Sequence, residues 1–294
     1  MLVWRIFRKV YNVGKLIFGT GQFRYEVIQP FGVLPTGMEF GSTSHVAIDS
    51  NGRMFVTQKG DPPILVFDAN GDYIEGWGKD LLVDAHGLFI TSTDDVLVAD
   101  RDAHKVHKFD SSGHLLLTLG DGKPSWLQPF NHPADVAQGV NGDIFVADGY
   151  GNSSVHVFSP EGEHLRSWGN PGSGPGEFSS PHGIWVDQYN QVYVADLQNS
   201  RIQIFNTDGD LITQWGKGLY HPMDIWIDAQ GMVYISEQHP RFTITTPDGT
   251  VVSRGKAPDV GHGLWGDAHG NLYMTGSFPG AAGGYRGVVK FIRQ

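Results

Sequence analysis

Three histidines share a spacing that suits joint chemistry. The chain carries a self-similar unit with a period of about 40 residues, six times over. Counting back from the residue that ends each unit's first strand (Asp49, Thr91, Gly139, Asp187, Asp228 and Asp267), His86, His182 and His262 fall at one common offset, five residues earlier. They belong to the second, fourth and sixth units, and each precedes a glycine and then Leu or Ile. Units three and five instead carry Asp135 and Asp224 one residue later, with His132 and His221 two residues ahead of the histidine offset; unit one has Ser44 at the offset and His45 beside it. Taken singly, each histidine reads as an ordinary residue near a strand start. The common offset and the strict alternation point to three imidazoles meeting at one place. Such a set suits a divalent ion, and zinc held by three His keeps a fourth position open for water or substrate. The glycine after each His would let neighbouring strands approach without Cβ crowding. His104, His107, His114, His156, His164, His239 and His269 fall on outer strands or turns and carry no such expectation.

The elements that must position these residues are short strands. Each unit offers runs of β-branched and aromatic residues such as Met54-Phe55-Val56, Ile144-Phe145-Val146-Ala147 and Val192-Tyr193-Val194-Ala195, separated by Asn-Gly, Asp-Gly or Glu-Gly turns that favour tight hairpins. Four strands per unit make a propeller blade, and six blades around a channel protect most strand edges. The expected fold is therefore all-β: a six-bladed β-propeller over residues 23–294. The sixth unit lacks its outermost strand, so the stretch 23–28 is expected to join the last blade and close the ring. With 40 glycines among 294 residues, helical bundles and disordered chains are both disfavoured. The absence of cysteine removes disulfides, thiolate metal sites and cysteine nucleophiles.

Charge is unevenly spread. The chain carries a net −10, yet its first 23 residues hold Arg5, Arg8, Lys9 and Lys15 and no acid. An acidic body repels phosphate backbones, which excludes nucleic acid as a natural partner. At about 100° per residue the basic side chains of the first segment gather on one arc and the apolar ones on the other, with Leu16 out of pattern. Residues 1–22 are thus expected to form a basic amphipathic helix, too short in its uncharged runs to span a bilayer and lacking a secretory core. Two readings stand open: peripheral contact with anionic lipid through residues 1–18, or a cap docked on the body's own apolar edge. A cytoplasmic location is expected on either.

The wording of the units, especially Asn199-Ser200-Arg201-Ile202-Gln203-Ile204-Phe205, resembles NHL repeats. More specifically, Asp148-Gly149-Tyr150-Gly151-Asn152-Ser153, with Pro181-His182-Gly183, Ala85-His86-Gly87-Leu88 and Gln58-Lys59-Gly60-Asp61, resembles the peptidyl-α-hydroxyglycine α-amidating lyase family over about residues 40–294. The resemblance implies a six-bladed propeller with a central zinc on His86, His182 and His262. It implies cleavage of an N-acyl carbinolamide to an amide and glyoxylate, with Tyr150 as the base. Of the family's two arginines near the substrate, one corresponds to Lys59, which keeps the charge without the bidentate fork, and the other to Leu197. Arg101 occupies the same place within its repeat two units earlier, and we expect it to bring a guanidinium to the mouth. The acid of the family's calcium site corresponds to Gly263, beside carbonyls of Val46 and Leu88, which puts calcium in doubt. Its disulfide beside the tyrosine is absent, with Gly151 in place of cysteine.

Three functions are carried forward. The first is a zinc lyase on a small or peptidic α-hydroxyglycine-like substrate. The second keeps the zinc but hydrolyses or hydrates another small polar substrate. The third is a metal-free NHL scaffold that binds a protein or peptide through its loops. A calcium-dependent lactonase is disfavoured because the channel offers mainly His. Neither the substrate's identity nor the oligomeric state is legible in the residues.

Overall fold

The computed structural model describes residues 15–126, 128–257, 261–276 and 286–294. Among them are strands and turns but no helix. A hairpin comes first, β1 (Ile17–Thr20) and β2 (Phe23–Phe31). Blade 1 follows as β3 (Ser42–Ile48), β4 (Met54–Lys59), β5 (Ile64–Phe67) and β6 (Tyr73–Trp77). Blade 2 is β7 (Ala85–Ile90), β8 (Val96–Asp100), β9 (Lys105–Phe109) and β10 (Leu115–Leu119); blade 3 is β11 (Asp135–Gln138), β12 (Ile144–Asp148), β13 (Ser154–Phe158) and β14 (His164–Trp168). Blade 4 is β15 (Pro181–Val186), β16 (Val192–Asp196), β17 (Arg201–Phe205) and β18 (Leu211–Trp215); blade 5 is β19 (Pro222–Ile227), β20 (Val233–Glu237), β21 (Arg241–Thr245) and β22 (Val251–Lys256). Blade 6 contains β23 (Gly261–Gly266), β24 (Leu272–Gly276) and β25 (Gly287–Arg293). Every sheet is antiparallel with the first strand of its unit at one edge, and those of blades 1 to 5 are simple meanders.

Burial explains the strand sequences. The second strand of each blade is apolar at consecutive positions because neighbouring blades cover both of its faces: β8, β12, β16, β20 and β24 are buried throughout. Fourth strands meet solvent, and Ile74, Leu116, Leu165 and Ile212 are exposed there. The first strands carry the functional geometry. Their pairing with the second strand is interrupted between Ala85 and Gly87, between Pro181 and Ile184, and between Gly261 and Leu264. A bulge at those places turns the backbone and re-aims the histidine.

The channel is closed below these bulges. Phe89, Trp185 and Trp265, each three residues beyond a histidine of blades 2, 4 and 6, pack edge-on or tilted with ring centres 5.1–5.5 Å apart. The hub is therefore a cup with an aromatic floor.

The last blade is a five-stranded sheet in the order β1, β2, β25, β24, β23. Strand β2 pairs with β25 through Tyr25 opposite Arg293 and Val27 opposite Phe291. Tyr25 is fully buried and meets Phe242 of blade 5 edge-on at 5.8 Å, while Phe242 meets Phe291 at 5.2 Å.

The helix expected over residues 1–22 needs correction where the structure describes it. Residues 1–14 lie outside the described residues, and with them most of the segment read as touching lipid. From Ile17 to Thr20 the chain is strand, paired with β2 as Ile17 opposite Glu26 and Thr20 opposite Phe23. Gly19 and Gly21 have φ of 87° and 56°, the left-handed region that a helix interior cannot use. Helical periodicity in a short apolar stretch lost to an available partner strand. No helix among the described residues is long and apolar enough to cross a membrane.

Because β2 ties the two ends of the ring, Tyr25→Ala is expected to cost about 3–5 kcal/mol in urea unfolding, the range for a large buried aromatic. A loss below about 1 kcal/mol would contradict a closing role for this strand.

Candidate metal centre

His86, His182 and His262 meet on the channel axis. Their available ligand atoms all lie within 4.8 Å of one another, their ring centres are 4.8–5.3 Å apart, and all three residues are buried. Each imidazole is held from behind by the next blade. His86 Nδ1 lies 2.7 Å from the carbonyl of Ala134, His182 Nδ1 2.8 Å from that of Met223, and His262 Nδ1 2.7 Å from that of Ser44. A carbonyl only accepts, so each Nδ1 donates its N–H and each neutral ring presents Nε2 as a bare lone pair.

Backbone carbonyls of the same segments are themselves held. Thr57 Oγ1 donates to the carbonyl of His86, Ser236 Oγ to that of His262, and Thr275 Oγ1 to that of Ser44. Glycine at the next position is required by packing. A Cβ on Gly87 would sit 2.5 Å from Asp135 Cα, one on Gly183 2.6 Å from the Met223 carbonyl, and one on Gly263 2.6 Å from His45 Cα.

Tyr150 completes the cluster from the loop after β12. Its hydroxyl is 2.9 Å from Nε2 of both His86 and His182, although 44% of the residue is exposed. The ring thus walls the mouth while the hydroxyl points inward. Burial raises its pKa to about 12, against the opposing pull of Arg101. The Arg101 guanidinium lies 5.2 Å from the Tyr150 ring centre and pairs with Asp84 and Asp102. Lys59 reaches the same Asp84 at 3.2 Å. Leu197 is buried and brings no charge. Asp84 was not singled out in the sequence, where it stands one residue outside a strand and in no repeated pattern; it is the carboxylate that gathers Lys59 and Arg101.

Proton counting decides what this cluster can hold. Burial drives the imidazoles below their ordinary pKa, His182 to about 4 and His86 and His262 well down, with mutual repulsion adding to the effect at His86 and His262. Three Nε2 lone pairs and one phenol therefore share a single proton, so the Tyr150 hydroxyl can donate to only one of the two nitrogens it touches. A divalent cation satisfies this donor set, and a three-His set with a fourth open position fits zinc.

One layer deeper, the intervening blades contribute His45, Asp135 and Asp224, all buried. His45 Nε2 is 2.8 Å from Asp224 Oδ2 and 3.8 Å from Asp135 Oδ1. Burial alone would lower His45, but Asp224 and then Asp135 outweigh it and bring its pKa to about 9. Asp135 is pushed to about 7, by burial first and also by Asp224. The three residues share one offset in the repeat, the signal that could have joined them; mixed residue types hid it. At the place where calcium was in doubt, Gly263 supplies no ligand side chain and His45 Nδ1 lies 3.1 Å from the Val46 carbonyl.

Comparison with known proteins is consistent with this architecture. Residues 135–218 match family DUF5128, described as a 6-bladed beta-propeller. Human NHL repeat-containing protein 3 is 35% identical over 193 residues, covering 60% of this chain and 55% of that protein. A probable peptidyl-alpha-hydroxyglycine alpha-amidating lyase of Caenorhabditis elegans is 32% identical over 190 residues, covering 62% and 53%. The chain thus spans about half the length of these relatives. Among solved structures, a gluconolactonase from Xanthomonas campestris superposes with a TM-score of 0.70 at 15% identity, covering 92% of this chain and 90% of that one. A virginiamycin B lyase from Staphylococcus aureus gives 0.66 at 16%, covering 91% and 99%. At such identities these two speak to the fold alone.

The raised His45 pKa has a testable consequence for the metal-free protein. The folded state keeps the His45 proton to about pH 9, whereas the unfolded chain releases it near 6.5, so the stability His45 contributes is full below about 6.5 and lost by about 9. The three neutral imidazoles act in the opposite sense, but only below their unfolded pKa near 6.5. Denaturant unfolding in the presence of chelator should show stability falling over pH 6.5–9, and His45→Gln should flatten that fall; a wild-type protein gaining stability across this window would contradict the assignment. The chain is a six-bladed β-propeller whose homologues include both peptidyl-α-hydroxyglycine α-amidating lyases and NHL repeat proteins.

Proposed function

We propose that this protein is a zinc-dependent lyase that cleaves an N-acyl carbinolamide, of small-molecule or peptidic origin, to an amide and glyoxylate. The observation that carries the proposal is the proton-poor cluster of His86, His182, His262 and Tyr150, in which two Nε2 atoms face one hydroxyl at 2.9 Å each. His86, His182 and His262 would hold the ion, which when bound would act as a Lewis acid toward the substrate hydroxyl and lower its pKa.

The protein's own groups account for the proton traffic. Tyr150, as phenolate, would take the proton from the substrate hydroxyl; the carbon–nitrogen bond breaks as the hydroxyl carbon becomes the aldehyde of glyoxylate, and Tyr150 O–H returns the proton to the leaving amide nitrogen. The phenol starts near pKa 12, so a cationic neighbour must stabilise its ionised form. Arg101 is such a neighbour, 5.2 Å from the ring centre. Lys59 and Arg101 would receive the substrate carboxylate, with Asp84 fixing both cations at one side of the mouth. Without a cation at Leu197, anion recognition is one-sided.

Relatedness to NHL repeat-containing protein 3, a name that states no reaction, supports a second reading as a non-catalytic scaffold. Metal content separates the two. The purified protein should carry or take up one zinc per chain, and His182→Ala should lose it; α-hydroxyhippurate should release glyoxylate, and Tyr150→Phe should slow that release about 10²–10⁴-fold. Absence of zinc binding in the wild type would overturn the enzyme reading in favour of the scaffold. Zinc binding without glyoxylate release would overturn the lyase in favour of a zinc hydrolase or hydratase.

A further inference from the structure

We propose that His45, Asp135 and Asp224 form a positioning layer that locks the imidazoles of His86, His182 and His262 into the orientation needed to bind a metal. The proposal rests on the metal-site reading above and adds to it three residues that are not themselves ligands.

The connection is through the backbone. Each member of the deeper layer directly follows the residue whose carbonyl orients a histidine: His45 follows Ser44, which holds His262; Asp135 follows Ala134, which holds His86; Asp224 follows Met223, which holds His182. Two members also reach forward into the next blade. Asp135 Oδ2 accepts the N–H of Ile184 at 3.0 Å, and Asp224 Oδ2 accepts that of Leu264 at 2.6 Å, in each case two residues beyond a histidine. Blades 3 and 5 thereby each reach both neighbours, backward to blades 2 and 4 through a carbonyl and forward to blades 4 and 6 through a carboxylate.

Blade 1 has His45 where a third carboxylate would complete the pattern. His45 instead turns across the axis to Asp224 and Asp135, joining blades 1, 3 and 5 at the centre. Its own N–H is fixed by Thr57 Oγ1 at 2.8 Å, the hydroxyl that also donates to the carbonyl of His86. A displacement of any one member therefore moves a carbonyl that orients an imidazole.

The layer does not itself form a second metal centre. His45 and Asp224 already stand as an ion pair at 2.8 Å, and the space among the three residues, floored by Phe89, Trp185 and Trp265, is too small for a water molecule. The paired imidazole takes the place an ion would need.

The test compares His45→Leu, which removes the polar link, with His45→Gln, which keeps an N–H donor of similar reach. Zinc affinity is read by competition with a chromophoric chelator, and the Nδ1–H tautomer of the three histidines by ¹⁵N spectra of the metal-free protein. For His45→Leu the expected result is a loss of zinc affinity of about 10–100-fold, the usual range for groups that orient metal ligands, together with mixed tautomer signals. His45→Gln should recover most of both. Zinc affinity within about threefold of wild type and unchanged tautomer signals in His45→Leu would overturn the proposal, whatever happens to its melting temperature. If His45→Leu fails to fold, Asp224→Asn is read by the same two measurements and the same criteria. Should the wild type bind no zinc, the metal reading fails by itself; the ¹⁵N spectra then decide positioning alone, altered signals supporting it and unaltered signals overturning it.

Discussion

The hub depends on one contact made three times: an imidazole Nδ1–H given to the backbone carbonyl of the next blade. That contact fixes the tautomer, aims Nε2 at the axis and ties blade to blade. It exists only because the strands approach closely enough, and they do so because glycine follows each histidine. At Gly183, a methyl group would land on the very carbonyl that grips His182. The repeat thus specifies the site through backbone spacing before any side-chain chemistry is considered.

Burial then converts geometry into reactivity. In water three imidazoles would simply take up protons as the pH fell; here desolvation and mutual repulsion keep them neutral, leaving lone pairs that a single phenol cannot satisfy. The carboxylates are sorted by depth. Asp135 and Asp224 lie beneath the histidines with His45 between them, while Asp84 lies at the mouth and anchors Lys59 and Arg101. Both cations at the entrance are thus held by carboxylates, Lys59 by Asp84 and Arg101 by Asp84 and Asp102.

Much of this was legible in the sequence because a repeat turns spacing into position. Equal offsets in alternate units meant equal heights on alternate blades, so His86, His182 and His262 could be placed together without coordinates. The Tyr150 loop came from likeness to a family rather than from periodicity, since nothing in the repeat requires a loop to fold over the axis. Residues 15–22 misled because amphipathic periodicity in an apolar stretch does not register a partner strand supplied by its own hairpin, and with Gly19 and Gly21 in the left-handed region the stretch forms β1 and the turn into β2. Asp84 and the role of the His45 layer were hidden for a different reason: their importance lies in contacts across blades that sequence neighbours do not encode.

Homologues of both kinds, lyases and NHL repeat proteins, are compatible with one scaffold whose function is set at the hub. What distinguishes a catalytic hub from a structural one is whether three neutral imidazoles grip an ion. X-ray absorption at the zinc edge, on protein loaded with one equivalent of zinc, reports this directly. The account predicts three imidazole nitrogens at about 2.0–2.1 Å with an oxygen completing a four-coordinate shell. A shell of oxygens without imidazole scattering would contradict it.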